Sequence, residues 1–242
     1  MDRAAILTDI HGNLPALEAV IADAEARGCT TFANLGDSLS GPLWPVETAD
    51  LLMARGWPTI AGNHERQLLT LDRARMGASD AFTRDRLAAR HLAWLAGLPA
   101  TLSLSPDVLL CHGTPASDLD HFLHTVEKGG VREANDAEIR ERAGDRREAL
   151  ILCGHTHLPR LATLADGRII ANPGSVGLQA YDDDHPAPYR VERGDPRACY
   201  AIVDGTNVTL RAIAYDHEAA ARRAEENAQP GWATGLRSGR MS

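Results

Sequence analysis

Five short polar blocks recur through the first two thirds of this 242-residue chain: Asp9-Ile10-His11-Gly12-Asn13, Gly36-Asp37, Gly62-Asn63-His64-Glu65, His112-Gly113 and Gly154-His155-Thr156-His157. From them come the carboxylates of Asp9 and Asp37, the Asn63 amide and the imidazoles of His11, His64, His112, His155 and His157. Carboxylate, amide and imidazole form a hard-to-borderline ligand set. The donors are numerous enough for two divalent cations, and a pair of cations is suited to displacement at phosphorus.

These side chains must be delivered by strands, because each block follows an apolar run of strand length. Residues 4–8 are such a run, and Leu14, Leu17, Val20, Ile21 and Ala24 then recur at helical spacing until Gly28. The same order starts again at residue 31 and reaches Gly36-Asp37, with a helix over 46–55 after Pro42 and Pro45. Residues 57–61 run into Gly62, and 65–96 read as mostly helical with a break near Gly77. Hairpins are expected at 101–105 with 108–111, at 161–164 with 168–171, and at 198–203 with 207–214. Residues 114–148 show no clear strand but include a polar helix over 133–142, residues 149–153 form another apolar run, and 181–196 read as an acidic, proline-rich loop. A helix over 216–227 precedes a Gly/Ser/Arg-rich tail.

Open α/β sheets gather functional groups at the carboxyl ends of strands, where loops from distant segments converge. Two strand–helix units followed by hairpins predict two mixed β-sheets packed together and flanked by helices. The expected fold is a four-layer α/β/β/α sandwich with a dinuclear metal site at strand C-terminal ends. One domain over 1–228 is expected, with cap-like segments at 65–98 and 114–148 and a tail at 229–242.

Hydrophobic residues make up 44% of the chain and aromatics only 5%, so aliphatic side chains must supply most of the core. A net charge of −8 argues against an extended nucleic-acid surface, which depends on clustered Lys and Arg. Cys29, Cys111, Cys153 and Cys199 stand far apart, which predicts buried free thiols rather than a zinc knuckle or a disulfide framework. Cys111 and Cys153 directly precede candidate ligands, and strand alternation points them to the opposite face. No signal-peptide pattern and no membrane-length apolar run is visible, so a cytoplasmic location is expected.

The order DxH, GD, GNHE, HG, GHTH resembles the calcineurin-like metallophosphoesterases over roughly residues 4–215. The resemblance implies two metals, the first held by Asp9, His11, Asp37 and His157 and the second by Asp37, Asn63, His112 and His155, with Asp37 bridging. Mn, Fe, Zn, Ni and Co all accept such ligands. It further implies a metal-bridging hydroxide as nucleophile, since bound water is strongly acidified. His64 matches the catalytic histidine of the family, a non-ligand that stabilises phosphoryl charge or protonates the departing alkoxide.

The phosphoprotein phosphatase branch carries an arginine shortly after its GD motif and another beside GNHE. Here Ser38-Leu39-Ser40-Gly41 follows Asp37, and only Arg66 answers the second. Together with the Asn172-Pro173-Gly174-Ser175 loop, this resembles the small bacterial phosphodiesterase branch. The expected activity is hydrolysis of cyclic nucleotides or other small diesters. The alternatives are a phosphomonoesterase, of protein phosphatase or nucleotide type, and a non-catalytic scaffold of the same fold. Arg66, Asn172, His121 and His124 are candidate substrate contacts, against ordinary structural roles for each. The expected partner is a small phosphate ester, with neither nucleic acid nor membrane, and a neighbouring subunit is one surface on which the tail could pack.

Overall fold

A computed structural model of the chain describes residues 3–241. Its first half runs β1 (Ala4–Leu7), α1 (Leu14–Ala26), β2 (Thr31–Asn34), α2 (Pro45–Arg55), α3 (Asn63–Thr70), α4 (Ala78–Arg84), α5 (Ala89–Ala96), β3 (Thr101–Ser105) and β4 (Val108–Cys111). Next come β5 (His124–Glu127), β6 (Gly130–Glu133), α6 (Asp136–Ala143), β7 (Leu150–Leu152), β8 (Arg160–Thr163) and β9 (Ile169–Asn172). The chain ends through β10 (Ala180–Asp183), β11 (Tyr189–Glu192), β12 (Ala198–Asp204), β13 (Asn207–Ile213), α7 (His217–Glu226) and α8 (Pro230–Ser238).

Two mixed sheets form the centre. The first has the order β13-β12-β1-β2, with β1 parallel to β2 and antiparallel to β12. The second has the order β3-β4-β7-β9-β8, in which β4, β7 and β9 run parallel and both edges are antiparallel. Successive side chains of a strand point to opposite faces, and this alternation builds the layers. Ala4, Ile6 and Ala33 of the first sheet meet Val108, Leu110, Leu150 and Leu152 of the second between the sheets. Ala5, Leu7 and Phe32 point outward onto α1, where Leu17, Val20 and Ile21 are buried. On the far side Leu109, Cys111, Ile151 and Cys153 pack with Phe122, Ile139 and Ala143. These are the four layers that the sequence pattern predicts, and all four cysteines are free and buried.

Local signals set the helix ends. The Asn13 side chain caps α1 by accepting from Ala16 N–H, and Pro45 opens α2 while left-handed Gly56 closes it. Asn135 and Glu138 form a capping box on α6, which begins three residues later than expected.

Three expectations are corrected. Within 114–148, β5 and β6 pair as a hairpin around Gly129, and Arg132 pairs with Glu127 across it and with Glu138 of α6. Charged side chains on this short ladder hide its period. Within 181–196, β10 and β11 form another hairpin, in which Tyr189 and Val191 point inward while Arg190 and Glu192 point out. The tail is not an appendage. Pro230–Ser238 is helical, and Ala233 and Leu236 bury against Ala220, Ala221 and Ala224 of α7. The chain therefore packs its own end. Only Ser242 of that segment lies outside the described residues. No helix among the described residues is long and apolar enough to cross a membrane.

Candidate metal centre

The loops after β1, β2, β4 and β7 converge at one edge of the sandwich, and their backbone is unusual. Asp9, His11, Asp37, His155 and His157 all have positive φ, between 52° and 66°. Side chains make this left-handed conformation costly, by roughly 1–2 kcal/mol per residue. Bonds between the loops hold it. Asp9 N–H donates to the Gly36 carbonyl at 3.0 Å, His11 N–H to Asp37 at 3.0 Å, and Gly177 N–H to Asp9 at 2.9 Å. The approach is so close that a Cβ on Gly62 would collide with the Asp37 carboxylate and the His112 ring.

Two groups of donors result. In the first, Asp9, His11 and His157 bring ligand atoms within 4.8 Å of one another, and in the second Asp37, His112 and His155 do the same. His11 donates from Nδ1 to the Ser40 carbonyl at 2.7 Å, leaving Nε2 aimed at His157 Nε2, 3.1 Å away. His112 likewise donates from Nδ1 to Leu35 at 2.7 Å. Its Nε2 faces Asp37 Oδ2 and Asn63 Oδ1, each at 3.1 Å. Backbone carbonyls thus fix the ring orientations and direct the second nitrogen inward, as outer partners of metal-binding histidines do.

Asp9 Oδ2 accepts from the Thr8 hydroxyl at 2.8 Å and from His155 N–H at 3.1 Å. Its Oδ1 is buried without any hydrogen-bond partner, 3.4 Å from His157 Nε2. Asp9, Asp37 and Glu65 are each no more than 2% exposed. Among the described residues, no Lys or Arg nitrogen lies within 4.0 Å of the Asp9 or Asp37 carboxylate; their ion-pair partners are histidines. Buried charge without a partner is expensive. An orphaned carboxylate oxygen amid inward lone pairs is what a bound cation would satisfy, so the residues fit the group that the motifs imply.

Electrostatics support the same polarity. Burial and the neighbouring His157 bring the His11 imidazole down to about 3, and burial with His112 brings His155 down to about 4. Both are therefore neutral donors at pH 7. For His112, burial opposes the charge, but Asp37 and Asp9 override it and lift the group to about 10. Burial would raise the Asp37 carboxyl, yet His112 and His64 hold it well below the ordinary range.

His64 borders the second group, its side chain 26% exposed at the opening and its Nε2 4.0 Å from Asp37 Oδ2. Its backbone N–H donates to Asp37 Oδ1 at 2.9 Å, and its Nδ1 bonds Asp80 Oδ1 at 2.7 Å. Asp80 also accepts from the Ser40 hydroxyl at 2.5 Å. Burial works against the His64 imidazolium, but Asp37 and Asp80 raise it to about 9.

Sequence reasoning missed Asp80 because α4 brings it in from sixteen positions away, and nothing in the residue order marks it. It also gave Glu65 no role. That carboxylate is a staple, accepting from Asp37 N–H, Ser38 N–H and Gly62 N–H at 2.8 Å each. A signal for it existed, since Glu at the third position of a helix commonly bonds back to the cap.

The candidate substrate contacts lie elsewhere. Arg66 is paired bidentately with Asp118 at 2.7 and 2.9 Å on the surface. Asn172 spends its amide on the Gly154 carbonyl, the Thr156 hydroxyl and Gly174 N–H, which fastens one loop to another. His121 is buried behind His155, with its Nε2 3.0 Å from the Tyr189 hydroxyl, and His124 is buried as well. None of the four lines the cavity of about 680 Å³ that opens over the donors. That cavity is walled instead by His64, Asp80, Gln67 and Arg75, by Tyr181 to His185, and by Trp232 and Met241 from the tail.

Fold and site together define a hydrolase of the metal-dependent phosphoester class. Residues 3–205 match the Calcineurin-like phosphoesterase superfamily domain, and the chain belongs to that superfamily. It is 26% identical to an uncharacterized protein of Methanocaldococcus jannaschii over 94% of both sequences. Its fold is similar to that of a metallophosphoesterase from Sphaerobacter thermophilus, with a TM-score of 0.78, 26% identity and 99% of each chain covered. It is also similar to a hypothetical protein from Pyrococcus horikoshii, with a TM-score of 0.76 and 18% identity over the whole of both chains.

With its group lifted to about 10, His112 would have to give up a proton to serve as a ligand, so a cation bound there would displace it. Affinity for Mn²⁺ is expected to tighten as pH rises from about 6 to about 9, with proton release on binding. Calorimetry in buffers of different ionisation enthalpy reads that proton; binding without release and without pH dependence contradicts the assignment.

Proposed function

We propose that the chain is a dinuclear metal-dependent phosphodiesterase acting on small diesters such as cyclic nucleotides. The observation that carries this is the pair of adjoining His/Asp groups, with the orphaned Asp9 oxygen between them and a further imidazole, His64, at their mouth. Asp9, His11, Asp37 and His157 would hold one cation and Asp37, Asn63, His112 and His155 the other, with Asp37 shared. Bound there, the cations supply Lewis acidity and water ionised near neutral pH.

The protein groups do the rest. Neutral imidazoles and the Asn63 amide keep the centre electropositive enough to draw in a phosphate. His64 has Nδ1 engaged by Asp80, so the proton it can give lies on Nε2. As water oxygen bonds to phosphorus and the ester P–O bond breaks, that proton passes to the departing oxygen. Asp80 positions the ring and stabilises its charged form.

The preference for diesters follows from what surrounds the phosphate. A monoester dianion is well met by bidentate guanidinium groups. Arg66 is committed to Asp118, and Arg75 is the only arginine in the cavity lining among the described residues. Asp182 and Asp183 on the rim add negative charge.

With Mn²⁺ added, bis-p-nitrophenyl phosphate is expected to turn over faster than p-nitrophenyl phosphate; the reverse order overturns the diester assignment. His64→Ala is expected to lower kcat roughly 10²- to 10⁴-fold without loss of metal, most severely for alkyl leaving groups, which need the proton. Asp80→Asn removes a carboxylate that favours the imidazolium, so the His64 pKa falls and the alkaline limb of the kcat profile moves to lower pH. An unchanged limb contradicts the positioning role.

A further inference from the structure

The segment that composition marks as a tail ends beside the chemistry. Helix α8 brings Trp232 to His11, ring centroids 6.0 Å apart and nearly perpendicular. From another direction β10 brings Tyr181 to His157, with centroids 4.6 Å apart. The His11 and His157 rings are themselves 4.9 Å apart. Four rings from four separate elements thus run in contact from the floor of the cavity to its wall, and Trp232 and Tyr181 both line it.

This wall is built rather than incidental. Ala233 and Leu236 anchor α8 against α7. Beyond the helix, Gly194 N–H donates to the Gly239 carbonyl at 2.8 Å, and Met241 N–H donates to Glu192 Oε1 at 2.7 Å. Those two bonds tie the chain end to the β10–β11 hairpin that carries Tyr181. The Tyr181 hydroxyl donates to the His155 carbonyl at 3.3 Å, which locks the ring to the loop of the donors. Few aromatic residues are present in the chain, so two of them on one small cavity wall are notable.

We propose that Trp232 and Tyr181 form a base-binding subsite, and that the natural substrate is a nucleoside bearing a single phosphodiester. The proposal rests on the phosphodiesterase reading and adds to it the group that the ester carries. Aromatic rings hold nucleobases by stacking, and they do so without demanding a particular base. The exposed carboxylates of Asp182 and Asp184 at the same cavity accept hydrogen bonds from sugar hydroxyls and exocyclic amines. The same carboxylates repel further phosphates, which selects against polyphosphorylated nucleosides.

The test uses the full chain loaded with Mn²⁺ and two esters that share a leaving group, thymidine 5′-(p-nitrophenyl phosphate) and methyl p-nitrophenyl phosphate. Wild type is expected to show a KM about ten-fold lower for the thymidine ester, a ratio that Trp232→Ala brings toward one and Trp232→Phe largely restores. Thermal unfolding of both variants checks that they are folded. A wild-type ratio near one overturns the subsite, and so does an equal rise in KM for both esters, which would place the leaving group on the ring. Fluorescence separates this proposal from the one beneath it. Thymidine 5′-monophosphate is expected to quench tryptophan emission in wild type and not in Trp232→Phe. Quenching without turnover of either ester supports the subsite and overturns the diesterase reading, whereas no quenching overturns the subsite whatever the turnover.

Discussion

Three carboxylates, those of Asp9, Asp37 and Glu65, are buried together with no lysine or arginine among the described residues beside the first two, and the rest of the structure answers to that concentration of negative charge. Each has a different resolution. Glu65 is satisfied by three backbone N–H groups and so becomes a staple between the loop after β2 and the start of α3. Asp37 is met by His112 and by His64 N–H. Asp9 keeps one oxygen without a hydrogen bond, faced only by the His157 and His112 rings at 3.4 and 3.9 Å. A buried carboxylate oxygen without a hydrogen bond, set among imidazole nitrogens, is the physical basis for proposing cations at this edge.

The fold makes the concentration tolerable. Parallel neighbours β1 and β2 in one sheet, and β4 and β7 in the other, deliver their loops to the same edge. Loops packed that tightly force five side-chain-bearing residues into left-handed backbone. Strain of this kind persists only where the surroundings over-determine it. Here the surroundings are rigid, because the strands that precede the loops are buried on both faces. The core thus does more than stabilise: it holds inward lone pairs in positions that an isolated loop would relax away from.

Much of this was legible in the residue order. Glycine-flanked polar blocks after apolar runs located the donors, and period-two alternation placed Cys111 and Cys153 on the far face of their strands. What escaped was set by tertiary proximity or masked by charge. Asp80 reaches His64 only because α4 folds over the opening, and no spacing rule links them. The β5–β6 and β10–β11 hairpins carry charged and proline-rich sequence that reads as loop. The last helix has a weak composition and gains its order from packing on α7. Arg66 and Asn172 looked available for substrate because sequence cannot show that Asp118 and the Gly154 loop already engage them.

The tail shows how a weakly predicted element can define a site. Trp232 of α8 forms one side of a cavity whose floor is the two donor groups. The proposed chemistry depends on the cations. Metal content of the Mn²⁺-loaded chain, measured after removal of excess ion, should be two per chain, matching the two donor groups, and should fall to none or one in Asp37→Asn. A wild-type chain that retains no ion, or an Asp37→Asn chain that still retains two, would contradict it.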